Sequence, residues 1–189
     1  MTAGLEQVLA ARDARAALQA ALIARWATPL VSMTLVSPGP VKDDGRRRLL
    51  MDSAEVALSQ ALRGAGFAVL ERSRRDGCAG PEALYAVAAS PLELKALAVK
   101  LEDSMSWGRL LDADVLVAPA GRTDSSDPSA CSLLPEPLSR FALGIPPRRC
   151  LLCGNDARTC MAERAHPTAE LAAAAELLLD ILTLRPSGS

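Results

Sequence analysis

The chain has 189 residues, half of them apolar but only 3 % aromatic, and a formal net charge of −1. That length suits one domain with a full core, and hydrophobicity carried by Ala and Leu favours helices packed on a modest sheet. Near-neutral charge excludes the broad basic field of a nucleic-acid binder or of a protein drawn to anionic membranes.

Residues 3–25 read as a helix with Leu5, Val8, Leu9, Leu22 and Ile23 along one side. Leu30 to Val36 follows Pro29 as an apolar, partly β-branched strand, ended by the Pro38-Gly39-Pro40 turn. Leu49 to Arg63 returns to helical spacing and stops at Gly64 and Gly66. Phe67–Leu70 and Ala83–Ala88 are short strands, joined by a polar stretch from Arg72 to Pro81 that reads as a loop. The next helix has a well-marked start: Ser90 caps it, Pro91 fits the first helical position, and Glu93 completes a capping box. It runs to about Ser104 and is followed by a strand from Leu110 to Val117.

The order to this point is a helix and then β-α-β-β-α-β. This predicts an α+β fold: a ferredoxin-like or nucleotidyltransferase-like mixed sheet, with helices on one face and flanking N- and C-terminal helices. Residues 118–137, rich in Pro, Ser, Asp and Gly, read as a flexible loop. A Cys-rich knuckle at 148–166 precedes an amphipathic helix, Thr168–Leu184, which Arg185 and Pro186 end. The whole of 1–189 reads as a single domain.

Residues 1–15 lack the apolar core of a signal peptide, since Glu6, Arg12, Asp13 and Arg15 interrupt them. Glu176 and Asp180 break the richest apolar stretch, so no run reaches membrane-spanning length. A cytoplasmic protein is expected, its five cysteines reduced or bound to metal rather than paired.

Three constellations could carry chemistry. In Gly108-Arg109-Leu110-Leu111-Asp112-Ala113-Asp114-Val115, a strand turns residues 112 and 114 to the same face, about 7 Å apart. They either grip a divalent cation that bridges phosphate oxygens or form a solvated strand end. Cys150, Cys153, Cys160 and His166 are spaced C-x2-C-x6-C-x5-H and include the chain's one histidine. Three thiolates and an imidazole close a tetrahedral Zn2+ site. Reduced thiols packing as small apolar groups, or redox chemistry at the C-x2-C, are the alternatives. Basic residues cluster near turns at Lys42, Arg46 to Arg48, and Arg148-Arg149, where they suit a phosphate-rich ligand or are solvated charges. Arg also greatly outnumbers Lys, which fits phosphate recognition or a compositional bias. Cys78 and Cys131 have no assigned role. The chain lacks a P-loop, a dinucleotide G-x-G-x-x-G and a nucleophile elbow, which argues against an ordinary kinase, dehydrogenase or hydrolase.

Four separated segments together resemble one known family. The stretch Pro29 to Asp43, Gly80-Pro81-Glu82, Glu93 to Val115, and Pro146 to Cys153 with Cys160 and His166 are similar in order to the apo-citrate lyase phosphoribosyl-dephospho-CoA transferases. Arg12-Asp13 also fits, so the likeness spans roughly residues 8 to 182. The resemblance implies transfer from 2'-(5''-triphosphoribosyl)-3'-dephospho-CoA to a serine of the citrate lyase acyl carrier subunit, with release of pyrophosphate. It makes Asp112 and Asp114 the catalytic Mg2+ ligands beside Arg109. Lys42, Arg46, Arg12 and Arg149 become donor-binding candidates. The family's His-containing stretch before Gly-Arg-Leu is replaced here by Asp103 to Trp107, which leaves an aspartate or metal-bound hydroxide to take the serine proton. Two other readings stay open: the equivalent transferase for a malonate decarboxylase carrier, and a non-catalytic zinc-containing module that binds a carrier. The knuckle favours the citrate lyase branch by resemblance.

Overall fold

The computed structural model describes residues 4–119 and 134–184, the side chains of 181–184 excepted. Its elements are α1 (Leu5–Trp26), β1 (Leu30–Leu35), α2 (Gly45–Gly64), β2 (Ala68–Arg75), β3 (Glu82–Ala88), α3 (Pro91–Ser104), β4 (Leu111–Val117), β5 (Glu136–Pro137), α4 (Ala157–Ala162) and α5 (Thr168–Leu184). The strands form one sheet in the order β2-β3-β1-β4-β5, and every neighbouring pair is antiparallel. Its first four strands realise the ferredoxin-like arrangement rather than a mixed sheet.

Strand alternation sends two residue sets to opposite faces. Val31 and Met33 of β1, Ala83, Tyr85 and Val87 of β3, and Leu111, Ala113 and Val115 of β4 join the larger core. Leu50, Leu58 and Leu62 of α2, Leu94 and Leu101 of α3, and Ala175 and Leu179 of α5 complete it. On the other face Leu30, Leu84, Ala86 and Leu116 pack against Leu22 and Ile23 of α1. Helices α2 and α3 therefore share one face, as expected, and the flanking helix α1 covers the other. The sheet keeps a second apolar set, and α1, preceding the βαββαβ unit in the chain, buries it.

Three boundaries differ from expectation. Helix α2 starts at Gly45, because the Asp44 side chain accepts from the Arg47 N–H at 2.9 Å and caps it four residues before the apolar spacing becomes visible. Strand β2 extends through Arg72–Arg75 into the stretch read as a loop, paired with β3 as far as Arg75↔Glu82. It is an edge strand, and charged side chains there signal exposure rather than a turn. Within the expected loop at 118–137, Glu136–Pro137 pair with Leu116–Val117 as β5, while 120–133, Cys131 among them, lie outside the described residues. Ser90 caps α3 as expected, its Oγ accepting from the Glu93 N–H.

Candidate active site

The α1 side of the sheet holds a groove of about 240 Å³ between that helix and strands β1 and β4. Its floor is polar for a reason of register: Ser32 lies opposite Asp114 and Thr34 opposite Asp112. The same alternation that buries Met33 and Ala113 thus turns two hydroxyls and two carboxylates toward α1. Arg12, Arg15 and Gln19 line the opposite wall, and Pro137 of β5 the rim. Gln19 donates from Nε2 to the Ser32 Oγ at 2.9 Å, and Arg15 donates to Glu82 at 3.2 Å.

Lys42 lies near Arg12, beyond the groove's lining. It donates to the Ser37 carbonyl at 2.5 Å; burial, with the nearby Arg12 and Arg47 guanidinia, holds its ammonium below the usual lysine range. The chain passes so closely here that a Cβ on Gly80, whose φ is +102°, would stand 2.9 Å from the Lys42 carbonyl oxygen. This accounts for glycine in the Gly80-Pro81-Glu82 segment, which brings Glu82 to Arg15.

Asp112 and Asp114 keep 45 % and 42 % of their side-chain surface. Even so, loss of solvation, followed by the charge of Asp114, pushes the Asp112 carboxyl up to about 6, against the opposing pull of Arg148. Each carboxylate has a cation at arm's length: Arg148 Nη1 is 3.4 Å from Asp112, and Lys95 Nζ is 3.6 Å from Asp114. Two same-face carboxylates, one disfavoured by the other, are a donor set whose repulsion a divalent cation relieves.

The edge of β4 is held from α3. Glu102, buried, accepts from the Ala113 N–H at 2.8 Å and from Arg140 at 2.6 Å. A Cβ on Gly108 would fall 1.8 Å from the Glu102 carbonyl oxygen, so only glycine lets the turn into β4 pass against the end of α3.

The knuckle gathers Cys150, Cys153, Cys160 and His166, whose ligand atoms all lie within 4.8 Å of one another. The Cys153 and Cys160 sulfurs are 3.5 Å apart, too far for a disulfide, and His166 Nε2 is 3.3 Å from the Cys153 sulfur. For Zn–S bonds of about 2.3 Å, tetrahedral sulfurs stand roughly 3.8 Å apart, so these residues fit a metal such as zinc. Burial, then its neighbours' sulfurs, pushes the Cys160 thiol up to about 12. Cys150 is buried too, yet the Leu152 and Cys153 N–H groups and the adjoining thiols bring it below the usual range. Cys78, by contrast, lies apart, 3.3 Å from the Gln7 carbonyl.

The groove thus unites Asp112, Asp114 and Arg12, with Lys42 outside its lining but close enough to feel the Arg12 charge. Most of the other basic candidates have partners outside the groove. Arg46 pairs with Glu176 and Asp180 of α5, Arg48 with Asp43, and Arg47 is buried between Asp44 and Glu176. Arg109 donates to the Cys150 carbonyl, and Arg149, exposed, forms an isolated backbone bridge with Asp156. Sequence reasoning missed Arg15, Gln19, Ser32, Thr34 and Lys95. Ser32 and Thr34, polar at alternate positions of an apolar strand, and Arg15, one helical turn from Arg12, were the available signals.

Among the described residues no helix is long and apolar enough to cross a membrane. The profile of the apo-citrate lyase phosphoribosyl-dephospho-CoA transferase family matches residues 3–181. Curated relatives of that name include one from Citrobacter koseri, 35 % identical over 175 residues, covering 93 % of this chain and 87 % of the relative. Others come from Escherichia coli and Shigella boydii, each 35 % identical over 176 residues, covering 93 % of this chain and 88 % of the relative. With a match running through the groove, the Gly108 turn and the Cys/His knuckle alike, the chain belongs to the apo-citrate lyase phosphoribosyl-dephospho-CoA transferase family.

Proposed function

We propose that this protein transfers the phosphoribosyl-dephospho-CoA group from its triphosphoribosyl donor to a serine of the citrate lyase acyl carrier subunit, releasing pyrophosphate. The observation that carries this reading is the groove itself, in which Asp112 and Asp114 face Arg12 and Arg15 across a space of about 240 Å³. Arg12 and Lys42 bind the triphosphate, Arg by forked donors and Lys as a point charge. Asp112 and Asp114 hold Mg2+. When bound, the ion neutralises charge on the phosphate oxygens and on the departing pyrophosphate. The serine Oγ forms a bond to the α-phosphorus as the bond from that phosphorus to the bridging oxygen breaks, and the serine proton passes to a carboxylate of the groove. His166 stands among the knuckle thiols, remote from this role. Cys150, Cys153, Cys160 and His166 would hold Zn2+ as a closed, structural site.

The test is intact-mass spectrometry of apo carrier subunit incubated with the protein, the donor and Mg2+. The expected result is a gain of one phosphoribosyl-dephospho-CoA group, abolished by Asp112→Asn. A gain on a malonate decarboxylase carrier instead would reassign the acceptor. Tight carrier binding without transfer, indifferent to Asp112 and Asp114, would make the protein a binding module.

A further inference from the structure

The Cys/His knuckle and strand β4 are joined by two arginines that cross in opposite directions. From the turn leading into β4, Arg109 donates to the carbonyl of Cys150. From the residue two before Cys150, Arg148 reaches back and donates to the carbonyls of Gly108 and Arg109, both at 2.9 Å, and to that of Leu111. The same guanidinium stands 3.4 Å from Asp112. One nitrogen, Nη2, therefore lies among three carbonyls of a turn that runs directly into the Asp pair, while Nη1 faces Asp112.

The knuckle in turn fixes where Arg148 starts. The Arg148 carbonyl accepts from the Ala157 N–H at 2.8 Å, and the Cys150 N–H donates to the Asn155 carbonyl at 2.8 Å. These bonds tie the segment carrying Arg148 to the start of α4, whose Cys160 is one of the four clustered ligands. A guanidinium suits this task because its two rigidly spaced terminal nitrogens serve two places at once, Nη2 the carbonyls and Nη1 the Asp112 carboxylate, whereas a lysine ammonium offers a single nitrogen.

We propose that Arg148 is a positioning residue that transmits the order of the Cys/His knuckle to Asp112, so that the knuckle serves the reaction by clamping the turn at 108–111. The inference rests on the groove being the site of transfer.

The test compares Arg148→Ala, Arg148→Lys, His166→Ala and the Arg148→Ala/His166→Ala double variant of the full chain. It reads amide hydrogen exchange by peptide mass, bound zinc, and the kcat and KM of carrier modification. Arg148→Ala is expected to keep wild-type zinc content, to speed exchange across 108–113 at least tenfold while α2 stays protected, and to lower kcat at least tenfold with little change in KM for the carrier. Arg148→Lys recovers part of the kcat. His166→Ala loses zinc and loosens the same peptide, and the double variant is no slower than the slower single one, because both act through one link. Wild-type exchange and turnover in Arg148→Ala, or single effects that multiply in the double variant, would overturn the proposal. If Asp112→Asn is inactive while Arg148→Ala is normal, this inference alone falls. If Asp112→Asn transfers normally although 108–113 loosens as expected, the reading of the groove falls and takes the catalytic part of the inference with it.

Discussion

Replacing Asp112 by Asn should give a protein that is more stable than the wild type and yet inactive. The Asp112 carboxyl is pushed from 3.8 to about 6, first by loss of solvation and second by Asp114. At about 1.4 kcal/mol per tenfold change in proton affinity, a fully desolvated group would lose roughly 3 kcal/mol on ionising. With 45 % of the side chain exposed, solvent screening reduces this to about 1 kcal/mol. The folded pKa lies above the unfolded one, so the penalty is fully present above pH 6. It fades as the pH falls from 6 toward 3.8. Asn carries no charge and escapes the penalty, giving up only a 3.4 Å contact with Arg148. In Mg2+-free buffer at pH 7.5 the variant should melt about 2–4 °C above the wild type, and the gap should shrink by about half on titration to pH 5 and close below the unfolded value of 3.8. Mg2+ should reverse the order: at ten times its Kd it adds about 1.4 kcal/mol to the wild type and nothing to the variant. At sub-saturating Mg2+, wild-type transfer should also weaken below pH 6, because the proton competes with the ion for Asp112, and excess Mg2+ should restore it. Differential scanning fluorimetry with and without Mg2+, beside the carrier mass assay, measures all of this. A variant that melts lower than the wild type at pH 7.5, or that transfers at near-normal rate, would refute the reasoning.

Four further outcomes are expected. Gly108→Ala must displace the backbone of Glu102, whose carbonyl oxygen would lie 1.8 Å from the new Cβ; a loss upward of about 3 kcal/mol should appear as a sharply lower Tm or insoluble protein. Arg47→Ala leaves a buried gap between Asp44 and Glu176, which keep Arg46 as their ion-pair partner, and urea unfolding should register a loss of roughly 1–3 kcal/mol, mostly from lost packing. Steady-state kinetics should show KM for the donor rising about tenfold or more in Arg12→Ala and Lys42→Ala, with little change in Arg46→Ala, whose guanidinium is taken by α5. Elemental analysis of purified protein should find near one equivalent of zinc, lost in Cys160→Ser; because thiolates and neutral imidazole bind the metal, acidification should release it.

Local chemistry marked much of this protein in the sequence. Ser90-Pro91 starts α3 because a hydroxyl cap and a missing N–H act within one turn, and the βαββαβ order follows from apolar spacing. The Asp112/Asp114 pair is legible because strand alternation is a property of the chain alone. The knuckle is legible because cysteine and histidine spacing reaches across few residues. The start of α2 was missed because a charged first turn hides the helical period, and Arg72–Arg75 were taken for a loop because an exposed edge strand has polar side chains on both faces.

Only the tertiary structure decided which cations meet the aspartates. Nothing in the spacing separates Arg12, whose side chain lines the groove, from Arg46, which turns to Glu176 some 130 residues away. Whether an arginine meets a ligand or an internal carboxylate depends on long-range packing. So does the placing of Lys95 and Arg148 beside the Asp pair, since α3 and the knuckle reach β4 only once the sheet has formed.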